Sequence, residues 1–512
     1  MNITYLLDRM ADGFPEETAF LLEDGGSRTW REVCERVDGL AGGLKARGIV
    51  PGDRVAILAL NGPHYLEVSW AVARIGAILQ PMNMRLNPQE LAYQRADAEP
   101  KILFLGESFA ELAGAFAQDL PMISVEPRTG PETMEDLIKA DSPLTGAHPV
   151  AAEHTLGIFY TSGTTGKPKG VMLTHGSVLA NAAFLVAPVG YGADDITLHA
   201  APMFHVSDFS ASFAQLIAGG RHAFIPRFDP VEVLGAIERY RVTNLILIPV
   251  MINALVNHPE VGNYDLSSLQ FLFYGGSPIP ASTLRACFEI LPCELTQSYG
   301  QTELTHTACM LTREDHRRAA VDETLLATCG RPLQGVHVRI DDGAGGQLPV
   351  GEIGEILVRA PIVMKGYWNN PEATAEVLRD EWLHTGDMGF QDPRGYISLV
   401  DRKKDMIISG GENVYSAEVE SALADHSAVA ECTAIAVPDD RLGERVHAVV
   451  VLREGATAEA EDLQKHCRRT IAGYKIPRSF EFVDALPRTG TGKVRKDILR
   501  ETHWRDQDRQ IQ

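Results

Sequence analysis

Cysteine is scarce in this sequence, and the cysteine positions form no pattern. Seven cysteines occur in 512 residues, an odd number without a CxxC pair, and no histidine accompanies them at the spacing of a zinc motif. A disulfide framework and a structural zinc site are therefore not expected. The seven are Cys34, Cys287, Cys293, Cys309, Cys329, Cys432 and Cys467.

Long hydrophobic runs and a secretory leader are also lacking. The longest apolar run, Leu245–Val256, is too short to span a bilayer and contains Pro249 and Asn253. Residues 1–20 show no basic stretch followed by an apolar core, so no secretory signal is expected. These features predict a cytoplasmic protein without a transmembrane segment.

Positive charge is in deficit. Lysine and arginine number 47 against 68 aspartates and glutamates, which gives a formal net charge of −21. Nucleic-acid affinity depends on neutralising phosphates with basic side chains, so no nucleic-acid partner is expected. An anionic ligand must instead meet a local basic cluster, at Lys167 with Lys169, at 402–404 or at 493–496.

Short apolar runs alternate with helix-like stretches through the first part of the chain. Continuous apolar strands separated by helices are typical of parallel sheets that are buried on both faces. The predicted fold class is α/β, with a large N-terminal domain of layered sheets and helices. Strands are predicted at 54–60, 102–105, 157–160, 222–225, 244–248 and 271–274, and helices at 30–47, 231–240 and 281–289.

The pattern changes at about Leu333, where shorter strands punctuated by glycine and proline predict a small β subdomain over 333–401. A charge-dense segment at 401–405 precedes a last region with its own elements. We predict an N-terminal domain over 1–401 and a small α+β C-terminal domain over 402–512. Within the latter, helices are predicted at 417–424 and 460–472 and strands at 433–437 and 446–452.

The segment 160–171, YTSGTTGKPKGV, concentrates hydroxyls, glycines and two lysines between apolar runs. Glycines let backbone N–H groups turn inward, hydroxyls add donors and lysines add charge, so the loop is predicted to hold a polyphosphate. A Walker A loop is excluded, because Pro168 follows Lys167 where Ser or Thr is required and the GxxxxGK spacing is absent. The alternative is a solvated surface loop.

This segment resembles the signature of the adenylate-forming superfamily, which contains acyl-CoA synthetases, adenylation domains and luciferases. Further motifs of that family follow in order over almost the whole chain. The resemblance implies ATP and CoA as co-substrates and Mg²⁺ as cofactor. It also implies these ATP- and AMP-binding residues: Thr161, Ser162, Gly163, Thr164, Thr165, Gly166, Lys167, Gly275, Gly276, Ser277, Tyr299, Gly300, Thr302, Asp387 and Arg402.

Two of these motifs concern the binding of the adenine ring and of the metal ion. The segment 274–278, YGGSP, is similar to the family's adenine-contacting loop, although a glycine turn without a ligand fits the same residues. In 297–303, QSYGQTE, the resemblance places Tyr299 on adenine and Thr302 on phosphate. It makes Glu303 catalytic through Mg²⁺, with Thr165 as a second metal ligand, and a carboxylate beside phosphate suits that hard cation.

Two later motifs point to the ribose and to catalysis. In 382–387, WLHTGD, the resemblance makes Asp387 the acceptor for the ribose hydroxyls, with Arg402 reaching the same sugar. Lys404 falls at the family's hinge, on which the C-terminal domain moves. In 487–493, PRTGTGK, it makes Lys493 the catalytic lysine that bridges carboxylate and α-phosphate. A flexible basic loop is the alternative.

The acceptor of the acyl group is less well defined. The segment 409–413, SGGEN, resembles the loop that lines the pantetheine tunnel, with Gly410 and Gly411 as CoA-binding residues. Tyr474 either braces the CoA nucleotide or is a surface tyrosine. Ser416 stands where the family often has proline, and we expect it to cap the following helix. Free CoA is preferred over a carrier protein, because the 19 residues after Lys493 contain no carrier domain.

The carboxylate pocket is predicted from 202–206, PMFHV, which resembles the PxFH segment of acyl- and aryl-CoA synthetases. It makes His205 a catalytic residue beside the carboxylate, and a structural histidine is the alternative. Asp208 either faces the pocket, where it would disfavour a dicarboxylate, or is turned away and paired. The predicted lining is Asp208, Phe209, Val250, Met251, Tyr274, Gly300 and His306.

The sequence thus predicts an ATP-dependent, AMP-forming acyl-CoA synthetase for a predominantly apolar fatty, cyclic or aryl carboxylate. Two alternatives remain open, an adenylating enzyme that loads a separate carrier protein and a non-catalytic nucleotide-binding member. The oligomeric state is also open, with a homodimer as one option.

Overall fold

The structure is a computed structural model, described here for residues 1–126, 132–139, 143–144, 146–161, 168–277, 279–439, 441–488 and 494–504. Its strands are β1 (Thr18–Leu21), β2 (Ser27–Thr29), β3 (Arg54–Leu58), β4 (Ile78–Pro81), β5 (Ile102–Leu105), β6 (Met122–Ser124), β7 (Thr155–Thr161), β8 (Lys169–Thr174), β9 (Ile196–His199), β10 (Arg221–Phe224), β11 (Asn244–Leu247), β12 (Phe271–Gly275), β13 (Glu294–Tyr299), β14 (Cys309–Leu311), β15 (Arg331–Pro332), β16 (His337–Asp341), β17 (Gly354–Arg359), β18 (Gly366–Tyr367), β19 (Leu378–Arg379), β20 (Trp382–Gln391), β21 (Ile397–Arg402), β22 (Ile407–Ser409), β23 (Glu412–Val414), β24 (Val429–Asp439), β25 (Gly443–Leu452) and β26 (Ser479–Phe482).

Its α-helices are α1 (Tyr5–Gly13), α2 (Trp30–Ala46), α3 (Pro63–Arg74), α4 (Pro88–Ala98), α5 (Ala110–Phe116), α6 (Met134–Ile138), α7 (His175–Leu185), α8 (Val206–Ala218), α9 (Pro230–Tyr240), α10 (Pro249–Val256), α11 (Ala281–Ile290), α12 (Arg313–Arg318), α13 (Pro371–Val377), α14 (Ser416–Ala424), α15 (Ala460–Cys467) and α16 (Lys496–Trp504). Among the described residues, no helix combines the length and the apolar character that crossing a membrane requires.

The chain forms two compact units. The first consists of Met1–His337 and Val358–Leu383, and the second of Val338–Leu357 and His384–Gln512. The predicted domain boundary between residues 401 and 402 remains a prediction.

The first unit contains two large sheets. One has nine strands in the order β15-β14-β13-β12-β11-β9-β10-β1-β2, and the other has seven in the order β18-β8-β7-β4-β3-β5-β6. Strands β9 to β13 pair in parallel. A large buried cluster packs α9, α10 and α11 against the nine-stranded sheet, with Leu234, Ile237, Ile252, Leu245 and Leu272 in its core. The predicted α/β class is confirmed.

Strands β7 and β8 are antiparallel neighbours, with Thr161 opposite Lys169. The predicted phosphate loop therefore connects two strands of one hairpin. A Walker A loop leads from a strand into a helix, so this connection agrees with the exclusion of that motif.

The second unit contains strands β16, β17, β20 and β21 and a separate sheet in the order β23-β22-β25-β24, with β26 beside β25. Helices α14 and α15 close an apolar core on this last sheet, which includes Val419, Leu423, Ala434, Val446 and Leu463. This arrangement agrees with the predicted α+β character of the C-terminal region.

Candidate active site

His205 stands at the N-terminus of α8. Its Nδ1 lies 3.3 Å from the backbone N–H of Ser207 and 2.8 Å from the Ser207 hydroxyl, so the imidazole caps the helix. A ring nitrogen that accepts a backbone N–H must be unprotonated, which assigns the proton of the neutral ring to Nε2. His205 is thereby oriented as a neutral side chain with an N–H donor.

His306 lies next to His205. Burial, together with the proximity of His205, lowers the pKa of His306 to about 3, so this imidazole is also neutral. Its ring contacts Phe273 at a centroid distance of 5.5 Å. Two uncharged imidazoles thus lie near each other, and the ring of Phe273 on β12 packs against one of them.

Phe209 extends this apolar surface. Phe209 lies in the first turn of α8, and its N–H donates to the carbonyl of the N-cap residue His205 at 3.3 Å. Its ring packs against Phe159 at 5.0 Å and Phe213 at 5.3 Å.

Asp208 belongs to a different, buried polar chain. Its Oδ1 lies 2.8 Å from His199 Nδ1, and His199 Nε2 lies 2.9 Å from Nδ1 of His222. All three side chains are buried. Of the two possibilities left open by the sequence, Asp208 is therefore the paired one.

The loop after β13 is held in a constrained conformation. A Cβ on Gly300 would overlap the carbonyl oxygen of His306, so only glycine fits at that position. Thr305 has a φ of 61°, which is unfavourable for a β-branched residue, and its hydroxyl donates to the Ile362 carbonyl at 2.7 Å. The Asn181 amide donates to the Thr307 carbonyl at 2.9 Å. These contacts fix the backbone around the predicted motif.

Glu303 lies in this loop with its carboxylate half-buried. Its Oε1 accepts a hydrogen bond of 2.9 Å from the Tyr367 hydroxyl, and the Lys169 ammonium lies 4.9 Å above the Tyr367 ring. Lys169 directly faces Thr161 across the hairpin. The flanks of the predicted phosphate loop therefore lie close to the predicted metal ligand, and one carboxylate beside phosphate oxygens suits Mg²⁺.

The predicted adenine loop has a structural reason for one of its glycines. A Cβ on Gly275 would collide with the Ser298 side chain on the adjacent strand. Gly276 has a φ of 83° and, like Ser277, is exposed. The missing side chain of Gly275 is thus explained by strand packing, whereas Gly276 and Ser277 remain open to a ligand.

Three further predicted pocket residues lie on β12 and α10. Tyr274 and Met251 are 1% and 5% exposed and belong to the core cluster, and the Tyr274 hydroxyl lies 3.0 Å from Nε2 of His316. Val250 is half-exposed on α10. On β12 successive side chains alternate between faces, so Phe273 lies beside His306 while Tyr274 is turned into the core. Their assignment as pocket lining stays a prediction.

Tyr299 and Thr302 belong to the predicted motif 297–303. Tyr299 is buried at the end of β13, and Thr302 opens the 3₁₀ turn Thr302–Leu304. The remaining predicted ATP-site residues on the hairpin, together with the predicted catalytic lysine, lie outside the described residues. They are Ser162, Gly163, Thr164, Thr165, Gly166, Lys167 and Lys493.

In the second unit, Asp387 and Arg402 face each other across β20 and β21. Arg402 Nε lies 2.6 Å from Asp387 Oδ1. The Thr385 hydroxyl accepts from the Asp387 N–H at 3.1 Å and donates to the Ile356 carbonyl at 2.6 Å. The structure therefore brings together the two residues that the sequence assigns to the ribose.

The predicted hinge segment takes part in a buried charge cluster. Lys496 Nζ lies 2.8 Å from Glu420 and 2.6 Å from the Ser416 hydroxyl. Burial alone would lower the pKa of Lys496, but Glu420, Asp405 and Asp401 together raise it. A charged lysine on α16 is thereby fixed to the segment that contains Lys404.

Ser416 does not cap α14, so that expectation is wrong. The helix begins at Ser416 itself, after Tyr415, and the Asp401 carboxylate accepts from the Ser416 N–H. The Ser416 hydroxyl donates to Asp401 at 3.0 Å. A carboxylate from the hinge segment thus takes the capping role, because it satisfies a free N–H at the positive end of the helix.

Gly410 and Gly411 form the two-residue turn of the β22–β23 hairpin. Their φ values are 63° and 87°, as a type I′ turn requires. The turn therefore accounts for both glycines without reference to a ligand. Tyr474 is 40% exposed, and the Lys475 ammonium lies 5.6 Å from its ring.

Comparison with known proteins identifies the class. The chain matches the AMP-binding enzyme family over residues 7–368 and the AMP-binding enzyme C-terminal domain over residues 418–493. The protein belongs to the AMP-binding enzyme family, and its predicted membership of the adenylate-forming superfamily is confirmed.

Similar proteins include ligases with different acceptors. A feruloyl-CoA synthase of Amycolatopsis sp is 40% identical over 495 residues, covering 96% of this chain and 97% of the relative. The fatty acid–[acyl-carrier-protein] ligase ScoC of Streptomyces coeruleorubidus is 34% identical over 506 residues, covering 96% and 95%. ATP-bound MatB from Rhodopseudomonas palustris has a TM-score of 0.89 at 33% identity, with 99% of both chains covered.

Proposed function

We propose that this protein is an ATP-dependent, AMP-forming carboxylate–CoA ligase for a predominantly apolar fatty, cyclic or aryl acid. The observation that carries the substrate class is the pair of neutral imidazoles, His205 and His306, with the Phe273 ring against His306 and Phe209 in the first turn of the helix that His205 caps. Neutral donors can bind one carboxylate, and the rings offer an apolar surface to the rest of the acid. The similarity to a feruloyl-CoA synthase supports this reaction type.

In the first half-reaction, a carboxylate oxygen attacks the α-phosphorus of ATP and the bond to pyrophosphate breaks, which gives acyl-AMP. We assign the phosphates to the loop 161–167 and to Thr302. Tyr299, Gly300, Gly275, Gly276 and Ser277 form the proposed adenine site, and Asp387 with Arg402 the ribose site. The Lys493 ammonium is proposed to bridge the two approaching anions and so offset their repulsion.

Mg²⁺ would be held by Glu303 and Thr165, and it would neutralise phosphate charge. The described part of that site fits the ion, because Glu303 offers carboxylate oxygen beside the hairpin that carries the proposed phosphate loop. Tyr367 donates to one oxygen of Glu303 and so orients the carboxylate.

In the second half-reaction, the thiol sulfur of CoA attacks the acyl carbonyl carbon and AMP leaves with the electron pair of the broken bond. Gly410, Gly411 and Tyr474 are the proposed CoA-binding residues. We propose that residues 402–512 form a mobile domain that moves about Lys404 between the two half-reactions. The enzyme is proposed to act in the cytoplasm, where ATP and CoA are available.

The pairing of Asp208 with His199 bears on the substrate class. An amino-acid substrate would need an acidic partner for its amine, and this carboxylate is already satisfied in the protein interior. The proposed substrate is therefore a carboxylic acid without an α-amino group.

A second acceptor is supported by the similarity to ScoC, which is named as an acyl-carrier-protein ligase. CoA and a carrier protein both present a pantetheine thiol, so the same tunnel would serve either. The two functions differ in whether free CoA discharges the acyl-AMP.

The experiment is AMP release from ATP with aryl, alkyl, dicarboxylic and amino acids, with and without CoA. We expect CoA to increase AMP release strongly with one group of apolar monocarboxylates. Pyrophosphate release that is indifferent to CoA but discharged by a carrier protein would favour the second function. A preference for amino acids or dicarboxylates would contradict the proposed pocket.

A further inference from the structure

Three ligand-type side chains meet on the C-terminal sheet, outside the proposed active-site residues. His447 lies on β25, Glu481 on β26 and His503 near the end of α16. One ligand atom from each lies within 4.8 Å of the other two. The His447 Nε2 to Glu481 Oε2 distance is 3.8 Å, and the centroids of the two imidazole rings are 4.9 Å apart.

The register of the two strands explains half of this arrangement. Strands β25 and β26 are parallel, with His447 opposite Ser479. Glu481 follows Ser479 by two residues, so both side chains lie on the sheet face that carries His447. Their proximity is therefore imposed by backbone pairing.

His447 presents one ring nitrogen that the described residues leave unsatisfied. The side chain is 7% exposed, and its Nε2 is buried without a hydrogen-bond partner among the described residues. Its Nδ1 lies 2.8 Å from the Ser479 hydroxyl. If Nδ1–H donates to Ser479, the lone pair of Nε2 points toward Glu481 and His503, as in a histidine prepared by its second nitrogen to bind a metal.

The third ligand is positioned by the packing of its helix. Trp504, the neighbour of His503, donates from Nε1 to the Ala436 carbonyl on β24 at 2.9 Å. The end of α16 is thus attached to the sheet beside His447. Glu481 and His503 are exposed, so an ion can reach the site from solvent.

We propose that His447, Glu481 and His503 bind one divalent transition-metal ion, with Zn²⁺ as the best match. Two imidazole nitrogens and one carboxylate oxygen are a common zinc ligand set, with water in the fourth position. Ligand distances of about 2.1 Å in a tetrahedron require the ligand atoms to be about 3.4 Å apart, which small side-chain rotations would achieve. The ion would join α16 to β25 and β26.

An opposing charge limits the affinity. Arg445 lies two residues before His447 on the same strand face, and its guanidinium disfavours a cation there. Its pairing with Asp439 at 3.9 Å reduces this effect only in part. We therefore expect micromolar rather than nanomolar binding.

The test is a Zn²⁺ titration of the full, untagged and metal-stripped chain by calorimetry, in buffer without Mg²⁺. We expect one saturable site, weakened about tenfold or more in His503→Ala and in Glu481→Gln. Both residues are exposed, so these variants should fold. His337→Ala, which changes an exposed histidine outside the proposed ligand set, is the matched control and should bind like the parent chain.

Two further readouts decide the ligand identity and the structural consequence. Co²⁺ should give visible d–d bands without the intense thiolate charge-transfer absorption that the cysteines would produce. Zn²⁺ should slow amide exchange in α16 of the parent chain and not of His503→Ala. Absence of saturable binding, parental affinity in both ligand variants, or thiolate absorption would overturn the proposal.

Discussion

His205 and His306 are both neutral for different reasons, and this difference matters for the proposed chemistry. His205 is neutral because its Nδ1 accepts a helix N–H, and His306 because burial lowers its pKa to about 3. Only His205 is held by a helix cap with its Nε2–H as a donor. It is therefore the better candidate for contact with the substrate carboxylate.

We expect His205→Ala to lower kcat/KM for the carboxylate by about 10²-fold, because a positioned donor to a developing charge is lost. The KM for ATP should change little. Steady-state kinetics of the adenylation half-reaction measure both, with His337→Ala as the control. A loss below about threefold would remove His205 from the proposed site.

At Glu303, the proposal concerns metal affinity. Glu303→Gln should raise the Mg²⁺ concentration for half-maximal adenylation about tenfold or more, since a neutral amide is a poorer ligand for this cation. Tyr367→Phe should give a smaller shift in the same direction, because it removes only the hydrogen bond that orients the carboxylate. Glu372→Gln, an exposed position on α13, is the control, and an unchanged Mg²⁺ dependence in Glu303→Gln would contradict the assignment.

At the scale of single residues, the sequence could locate motifs but not the direction of each side chain. It groups Tyr274 with His205 and His306, because strand pattern alone does not say which face of β12 meets the proposed site. Phe273, whose ring lies 5.5 Å from that of His306, is absent from the predicted lining for the same reason. The pairing of Asp208 with His199 depends on how α8 packs after the end of β9, which no local pattern records.

At the scale of elements, the β22–β23 hairpin shows how a fold requirement can be mistaken for a ligand requirement. Gly410 and Gly411 supply the two positive φ values of the turn. A bulky substitution there would distort the hairpin even if the loop never contacted CoA.

Paired substitutions at Gly411 separate the two roles. Gly411→Val should destabilise the second unit by about 1–2 kcal/mol through the left-handed backbone, whereas Gly411→Asn should be better tolerated. Chemical denaturation checks this expectation. If Gly411 also lets the pantetheine arm pass, Gly411→Asn should slow thioester formation while adenylation is retained. Equal rates for Gly411→Asn and the parent chain would show that Gly411 is needed only for the turn.

Helix and strand positions followed closely from local pattern where the signals were strong. The structure has α2 at Trp30–Ala46, where a Thr29–Glu32 capping box starts the helix, and 30–47 was predicted. The end of α15 was placed at 472, but the helix stops at Cys467, and its last buried side chain is Cys467 itself. Ser416 shows where local pattern fails, because the helix is capped instead by the Asp401 carboxylate, which is 15 residues away in sequence.

For the whole molecule, the alternation of apolar strands and helices was sufficient to predict the α/β class. The order of strands within the two large sheets was not predictable, because it depends on contacts between distant segments. The same is true of the proposed metal site, whose ligands His447, Glu481 and His503 are separated by 34 and 22 residues along the chain. The search for local zinc spacing could not have found it.

Stability should fall as the pH falls below neutrality. Burial lowers the pKa of His64 to about 4 and those of His175 and His306 to about 3, from an ordinary value of 6.5. Between pH 6.5 and about 4 the unfolded chain binds these three protons while the folded chain does not. Near pH 5 these three histidines alone should lower the free energy of unfolding by about 4 kcal/mol per pH unit. Burial also lowers the pKa values of His222, His316 and His447, which makes the slope steeper.

Denaturation midpoints at pH 7, 6 and 5 check this slope. His175→Asn should reduce the slope by one proton, about 1.4 kcal/mol per pH unit. The Asn side chain can still accept from the Ile3 N–H that His175 Nδ1 accepts at 3.2 Å. His337→Ala should leave it unchanged. Equal midpoints at pH 7 and 5 would show that the buried histidines do not stay neutral.

The central claim is that a carboxylate oxygen attacks the α-phosphorus of ATP. The most direct measurement uses an accepted carboxylic acid labelled with ¹⁸O in both oxygens, followed by mass spectrometry of AMP and pyrophosphate after turnover with CoA. Attack at the α-phosphorus predicts one ¹⁸O atom in AMP and none in pyrophosphate. Label in phosphate or pyrophosphate, or unlabelled AMP during thioester formation, would contradict it.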